Sequence, residues 1–523
     1  MSEGQGTPIG LDESLLKITK GAGIAFLGSL AGLALGFVGR VLVARIGTEA
    51  EYGIFSLALV ILNICATIGS LGLPEGAARN IAYARGKGDL ERVRKLISAS
   101  ITFGLLAGVA LSLAILLSSN SLASSVFHKP ALAFPLKVFA FGIPLFVLLR
   151  ILISLFRGFD DVRPTVIFQN ILLNAFFLSL LIPLFVLHLP FENVFYAYLS
   201  SLLATSLALV FYTRRRLPFP AKPVLKASFN PVASKLLHFS LPLFGVAILE
   251  MIAMWTDTLM LGGLRTSAEV GLYNAARPIA AFISMPLGAI VMIYMPVISK
   301  LYTQSAIPEI RRNFAIITKW LCSATFPVFF ILFLFPETVL GFLFGGNYAA
   351  GADALRILSL GFMIDNLLGP NGATLIALGE SRFMMWAALA SALINIALNI
   401  ALIPPLGIEG AALASMIAIT SINAIRCIKL YSLSGAHPLS KNLIKPAAFS
   451  FGTAYLIYLV CNHFINVQTW MLPLLFILYC GIYSLAVLLT RSFDREDISL
   501  LLAIEKRSGM NLSPLKDLLH RFL

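Results

Sequence analysis

Charge is what this chain has least of. Asp, Glu, Lys and Arg make up 12% of its 523 residues and apolar side chains 58%, whereas a soluble domain carries about 25% charged residues. With a mean hydropathy of +0.89, ordinary soluble folds are excluded. Cysteine is equally sparse. Cys65, Cys322, Cys427, Cys461 and Cys480 stand singly in apolar runs, without CxxC or Cys/His spacing, which excludes a disulfide framework or a zinc site and leaves them as small core residues. The six histidines form no HExxH, and no Gly-x-Ser-x-Gly elbow is present. The Gly-Lys pair in RNIAYARGKGDLERVRK (79–95) lacks the GxxxxGK[ST] spacing of a phosphate loop. Enzyme chemistry and ATP hydrolysis by that route have no residues to carry them, and no cofactor is expected. The net charge of +14 comes without a basic helix carrying interleaved polar and aromatic residues, so nucleic acid is not an expected partner.

What the chain has instead is long apolar runs. A backbone surrounded by lipid must satisfy its own hydrogen bonds, which allows helices or closed barrels. Runs of roughly 20 residues match the hydrocarbon thickness as helices, while barrel strands would alternate polar and apolar over about 10. Runs bounded by charge or by Pro and Gly predict helices at 18–45, 52–76, 96–118, 131–156, 164–188 and 193–213, then at 236–262, 270–299, 314–335, 352–378, 382–404 and 408–430, with two more at 443–464 and 469–490. Asp12 and Glu13 precede the first run and no small-residue cleavage site follows a short core, so this run is expected to be a retained helix and not a signal peptide. Pro144, Pro183, Pro242, Pro286, Pro327 and Pro370 fall within runs, where they bend helices or shape packing.

The expected fold is an all-α integral membrane protein of fourteen transmembrane helices. Two parallel-repeat six-helix bundles surround a central cavity, and two C-terminal helices follow. Its divisions are a first lobe at 1–213, a basic cytoplasmic linker at 214–235, a second lobe at 236–430, the last two helices at 443–490 and an amphipathic cytoplasmic tail at 491–523. Charge placement agrees with that count, because cytoplasmic loops collect Lys and Arg. With the N-terminus inside, 31 of the 39 basic residues fall in cytoplasmic segments and three, Arg45, Lys129 and Arg265, in outer loops. Both termini are then cytoplasmic, in a multi-pass protein of the cell membrane. The repeat rests on AEYGIFSLALVI (50–61) and AEVGLYNAARPI (268–279), which share five of twelve positions, Glu51 with Glu269 and Gly53 with Gly271 among them. Chance would give about one match. Six helices return the chain to the same side, so the halves run parallel.

Ionisable groups inside membrane helices cost roughly 2.5 to 3.5 kcal/mol each and need a cavity or a partner. In the first six helices those groups are Arg40, Lys137 and Arg150, with no acid away from an end. The second set has Glu250, Asp257, Arg277, Arg356 and Asp365. The cationic surplus of the first lobe suits an anion bearing two or more phosphates, since the Arg fork binds phosphate oxygens in pairs. Arg40 and Arg150 are candidates, against snorkelling to a nearby interface, which Lys137 favours. Glu250 and Asp257, two turns apart on one helix face, and Asp365, before Gly369 and Pro370, are candidates to bind H⁺ or Na⁺, against structural pairing with Arg277 or Arg356. The 79–95 loop suits anionic headgroups of membrane lipids or the other lobe. Helical spacing of Ile498, Leu501, Leu502, Leu515, Leu518, Leu519 and Phe522 predicts an interfacial pair in the tail.

The segments LGLPEGAARNIAYARGKGD (71–89), WTDTLMLGGLRTSAEVGLYNAARPI (255–279) and GIEGAALASMIA (407–418) resemble the polysaccharide-biosynthesis flippases of the multidrug/oligosaccharidyl-lipid/polysaccharide exporter superfamily. The likeness runs from about 15 to 490 in order and spacing, with short, degenerate motifs. It implies two six-helix bundles that alternate between inward and outward cavities and carry a polyprenyl-type lipid-linked oligosaccharide outward, in company with glycan-assembly enzymes. Relatives that handle the cell-wall precursor lipid hold its pyrophosphate with cavity arginines, a role the resemblance assigns to Arg40 and Arg277. Drug-exporting relatives commonly place a coupling carboxylate in the first lobe. This chain has none there, which argues against a cation-coupled multidrug exporter without removing that alternative.

Overall fold

In a computed structural model the described residues, 11–217, 231–464, 467–490 and 492, are helical wherever they are regular, and no strand occurs among them. Eleven helices are long and apolar enough to cross a membrane, or twelve when a pair bent by 46° at Phe141 counts as one. Most of the 214–235 linker (218–230) and the tail beyond Ser492 lie outside the described residues, and with them the expected interfacial helix pair.

The chain forms two compact units, Met1–Gly271 and Leu272–Leu523. The first contains α1 (Leu11–Ile46), α2 (Glu49–Gly69), α3 (Leu73–Gly86), α4 (Leu90–Ser121), α5 (Ala133–Ala140), α6 (Gly142–Arg157), α7 (Leu173–Val186), α8 (Asn193–Arg216), α9 (Pro231–Leu264) and the opening of α10 (Ser267–Ala281). Here α9, grouped by sequence with the second set of six, packs on α2, α3 and α4. A glycine every fourth residue lets α1 lie close to its neighbours. A Cβ on Gly28 would stand 2.0 Å from Val166 Cγ1, and one on Gly32 would stand 2.8 Å from the Asn170 carbonyl oxygen. Close approach of this kind is how helices gain dispersion contact where lipid offers no hydrophobic drive. The segment opposite, Thr165–Leu172, is wound as a π-helix.

Two helix starts in this unit are built alike. At α2 the Thr48 hydroxyl accepts from the Glu51 N–H at 3.3 Å, and the Glu51 carboxylate accepts from the Thr48 N–H at 2.8 Å. At α10 Thr266 and Glu269 make the same pair of bonds, at 3.3 and 3.0 Å. Each is a capping box that satisfies amides otherwise orphaned at a helix start. The two starts meet reciprocally. A Cβ on Gly53 would lie 1.8 Å from the Ser267 carbonyl oxygen, and one on Gly271 would lie 2.0 Å from that of Glu49. Beside them the nearly buried Lys129 donates to the carbonyls of Phe127, Gly262 and Arg265, closing the carboxyl end of α9. All three ammonium protons are thereby used. Burial lowers its pKa, and the charge of Glu269 works the other way.

The second unit holds the rest of α10, α11 (Met285–Thr303), α12 (Ile307–Leu334), α13 (Pro336–Phe344), α14 (Ala352–Leu367), α15 (Asn371–Ala377), α16 (Ser381–Ser434), α17 (Lys441–Phe464) and α18 (Met471–Leu489). A 3-10 turn at Phe282–Ser284 separates α10 from α11. The helical assignment of α16 is continuous, yet Pro404 and Pro405 lie inside it and Gly407 is non-helical at φ 59°. A Cβ on Gly410 would meet the Leu402 carbonyl oxygen at 2.2 Å. In a straight helix eight residues rise about 12 Å, so the chain folds back here and α16 is a hairpin of two helical arms. Its second arm packs with α12 on α14.

Two basic residues placed by sequence in cytoplasmic segments sit instead in helical surroundings. Lys319 is buried on α12, and Arg426 is half-buried on α16. Both positions lie inside the helices expected at 314–335 and 408–430, near enough to an end for a long basic stem to snorkel toward it. Arg356, by contrast, pairs near a helix start with Glu337 at 2.7 Å and Asp353 at 2.6 Å.

The glycine contact gives a direct test. Gly53→Ala forces a backbone shift and is expected to lower stability by about 1–3 kcal/mol, read as a fall in the detergent melting temperature. Gly86→Ala, with no atom within 4 Å of the added carbon, should leave the melting temperature unchanged or slightly raised.

Candidate substrate site

Among the basic candidates of the first unit, Arg150 is the one held between α6 and α2. Arg150, on α6, is half-buried and held from α2. Its guanidinium donates to Thr67 Oγ1 at 2.9 Å and Asn63 Oδ1 at 3.4 Å, and lies 4.7 Å from the Phe146 ring centroid. Asn63 and Thr67 are one helical turn apart, which puts both on one face of α2. These side chains also bond their own helix: Asn63 Nδ2 donates to the Leu59 carbonyl and Thr67 Oγ1 to that of Asn63. Arg150 is therefore positioned by neutral oxygens and an aromatic face, which fix its direction and leave its charge intact.

Arg40, on α1, is exposed. Its charge acts on the hydroxyls of Tyr52 and Tyr198, and that of Arg150 also acts on Tyr198. The charges of Arg40 and Arg150 thus both act on one half-buried tyrosine. Tyr198 is fixed by rings: Phe55 at 6.2 Å, Phe139 at 5.4 Å and Phe177 at 5.2 Å. Neutral amides extend the polar lining, with Asn170 donating to Ser29 Oγ at 3.2 Å and Asn174 to the Gly32 carbonyl at 3.5 Å. Chemically this is an anion-compatible surface with two guanidinium forks, amides and a phenol.

The other sequence candidates are dispersed. Arg277 is half-buried on α10 in the second unit. Glu250 is exposed on α9, while Asp257, seven residues on, is buried at 3% exposure in the first unit. A shared helix face does not give a shared environment, because α9 is covered along only part of its length. Asp365, half-buried on α14, accepts from Asn423 Nδ2 at 2.6 Å.

Sequence reading missed Asn63, Thr67, Tyr198, Asn170, Asn174, Asn423 and Arg426. A signal was present, since Asn63/Thr67 and Asn170/Asn174 are polar pairs at i, i+4 inside apolar runs. A charge-based search passes over them.

Similarity to known proteins follows this geometry. The helical fold has solved counterparts: a multidrug resistance MATE family transporter of the MOP superfamily, in its inward-facing conformation, superposes with a TM-score of 0.64 at 18% identity, covering 77% of this chain and 94% of that one. The lipid II flippase MurJ superposes with a TM-score of 0.68 at 17% identity, over 88% of this chain and 97% of that one. In sequence, the family model described as polysaccharide biosynthesis protein matches residues 18–302, more than half of the chain. The protein belongs to that family and is a multi-pass membrane protein. A second model, described as MatE, matches 242–401. Stage V sporulation protein B of Bacillus subtilis is 23% identical over 444 residues, 79% of this chain and 84% of its own length. The probable low-salt glycan biosynthesis flippase Agl15 of Haloferax volcanii is 24% identical over 164 residues, 31% of this chain and 35% of its own.

The support of Arg150 is testable. Thr67→Val and Asn63→Ala each remove a partner of a half-buried cation, at a cost of about 1.5–3 kcal/mol. In a double-mutant cycle with Arg150→Met, measured by thermal unfolding in detergent, the losses should be strongly non-additive.

Proposed function

We propose that this protein is a flippase that moves a polyprenyl-pyrophosphate-linked oligosaccharide from the cytoplasmic to the outer leaflet, as part of polysaccharide or glycan export. The observation that carries the proposal is Arg150, a cation held by neutral groups inside the first unit, with the charge of Arg40 acting on the same Tyr198 hydroxyl. Two guanidinium forks in a low-dielectric setting suit a pyrophosphate and repel the cationic amphiphiles a drug exporter would carry. Family membership and the likeness to Agl15 and stage V sporulation protein B support it. Arg277 is the third candidate phosphate ligand of this proposal. The polyprenyl tail stays in lipid, and transport proceeds by alternating access without chemistry on the substrate.

The chain spans the bilayer fourteen times in this proposal, as two six-helix repeats and two further helices, with both termini cytoplasmic. The fold-back at Gly407 supports counting α16 twice, and α14 with α15 supplies the remaining span. The duplicated capping boxes at Thr48 and Thr266 support the repeat. Coupling to H⁺ or Na⁺ falls to Asp257, Asp365 or Glu250. Glycan-assembly enzymes are the expected partners.

The rival reading is a cation-coupled multidrug exporter, favoured by the MatE match at 242–401 and the MATE fold likeness. Reconstitution into vesicles with a labelled lipid-linked oligosaccharide separates the two. Arg40→Ala and Arg150→Ala are each expected to slow leaflet transfer at least tenfold, a loss of about 1.4 kcal/mol or more, and the Lys variants should retain an intermediate rate. Wild-type protein that transfers no lipid under either ion gradient overturns the proposal, and efflux of small cations unaffected by Arg40→Ala installs the rival.

A further inference from the structure

One buried polar cluster in the second unit is too ordered to be packing alone. Asp365 of α14 faces the second arm of α16, where Asn423 lies between it and Arg426. Both amide protons of Asn423 are committed, to Asp365 Oδ1 at 2.6 Å and to the Ile419 carbonyl at 3.0 Å. Its oxygen accepts from Arg426 Nη1 at 3.4 Å. The orientation of that amide follows from chemistry, because a guanidinium can only donate and a carboxylate can only accept. On the other side of the carboxyl stands Ser284, in the 3-10 turn between α10 and α11. Its buried hydroxyl stands beside Asp365, makes no other hydrogen bond and favours the carboxylate by donating toward it. A 3-10 interruption between two helices is a common hinge.

We infer that Asp365 is the coupling site of this protein and that its ligand is a proton, not Na⁺, with Asn423 and Arg426 holding the carboxylate and the Ser284 hydroxyl serving the carboxylate as donor and the carboxylic acid as acceptor. This deepens the ion-coupling part of the flippase reading and rests on it for its role in transport. Sodium binds through several oxygen lone pairs, as hard cations do. Asn423 presents N–H to Asp365 and turns its oxygen to Arg426, whose positive charge acts on the same carboxylate. A proton needs only one lone pair. It arrives from water, forms an O–H bond on the carboxylate and cancels its charge. The Ser284 hydroxyl, a donor toward the carboxylate, can turn to accept from the new O–H, whereas Asn423 and Arg426 offer only N–H to Asp365 and lose their anionic partner. Protonation therefore weakens the tie of α14 to the second arm of α16 and keeps its tie to the 282–284 turn.

Other ionisable groups around α14 are engaged elsewhere. On α12, Lys319 reaches the Ser492 carbonyl, Arg311 that of Ser434, and Cys322 that of Asn366. Glu337 of α13 and Asp353 pair with Arg356, and on α16 Lys429 pairs with Glu380 and the Cys427 thiol donates to the Leu368 carbonyl. Arg426 is the charge that acts on Asp365.

The test is pH-difference infrared spectroscopy on the full chain in lipid nanodiscs, without any lipid-linked sugar. Acidification should add a carboxylic-acid carbonyl band that Asp365→Asn abolishes. Arg426→Gln should move its midpoint to higher pH by about one unit or more, a tenfold gain in proton affinity, and Ser284→Ala should shift the band frequency. Exchanging K⁺ for Na⁺ should change nothing. A band that survives in Asp365→Asn, a midpoint unmoved in Arg426→Gln, or suppression of the band by Na⁺ overturns the inference. Arg426→Gln and Ser284→Ala keep it falsifiable if Asp365→Asn does not fold. A protein that binds the proton as described yet transfers no lipid in vesicles overturns the flippase reading and leaves the proton site standing.

Discussion

Everything in this structure answers to one constraint: in lipid, a backbone amide or carbonyl must find its partner within the protein. Each unsatisfied group costs several kcal/mol, so the chain is helix wherever it is regular. The interesting places are where the ladder is broken and then repaired. Leu71 and Gly72 take positive φ between α2 and α3, and the N–H of Leu73 closes on the Ser70 carbonyl. Pro404 and Pro405 remove two donors from α16, and the chain reverses at Gly407. The π-wound 165–172 segment and the 3-10 turn at 282–284 change pitch without leaving the helix. Two of these four lie beside the polar residues argued to be functional, Asn170 in one and Ser284 in the other. A relaxed ladder aims side chains that regular pitch would send elsewhere.

The second constraint is electrostatic, and it divides the charged residues by what surrounds them. Arg356 is paired with two carboxylates near a helix end and reads as structure. Arg150 is held by a hydroxyl, an amide and a ring, groups that orient a cation without neutralising it. Lys129 spends every donor on backbone carbonyls at the end of α9, where the helix dipole is negative. Three basic residues thus stand apart as a tie, an oriented cation and a cap. Only the identity of the partners separates them.

Hydropathy and the placement of basic residues made the helical membrane class legible, and the short repeat at 50–61 and 268–279 pointed at the segment where two capping boxes occur. Partner identity was not legible. Glu51 and Glu269 appear in sequence as outer-loop acids, and only the backbone conformation reveals them as the return half of a cap. Glu250 and Asp257 share a helical face by spacing, yet one is exposed and the other buried because cover depends on helices distant in sequence. Arg426 was counted as a cytoplasmic charge although the helix expected at 408–430 contains it, and Asn423 was passed over as neutral. A search for ionisable residues finds Asp365 and misses the amide that determines what it can bind.

That amide bears on how an ion could drive transport at all. An ion shifts a conformational equilibrium only by the difference in its affinity for the two conformations. A carboxylate equally solvated in both would contribute nothing, however tightly it bound a proton. At Asp365 the two protonation states hold their neighbours differently: the anion is favoured by Arg426 and Asn423 on α16 and by Ser284, while the neutral acid loses the pull of Arg426 and keeps the Ser284 hydroxyl, which can accept as well as donate. Each tenfold difference in proton affinity between the conformations supplying those neighbours is worth about 1.4 kcal/mol of bias. By linkage the same free energy appears in the proton's response to whatever shifts the conformation, a bound substrate included. A sodium site built of fixed oxygens would need the amide turned around and Arg426 displaced before it could enter the same cycle.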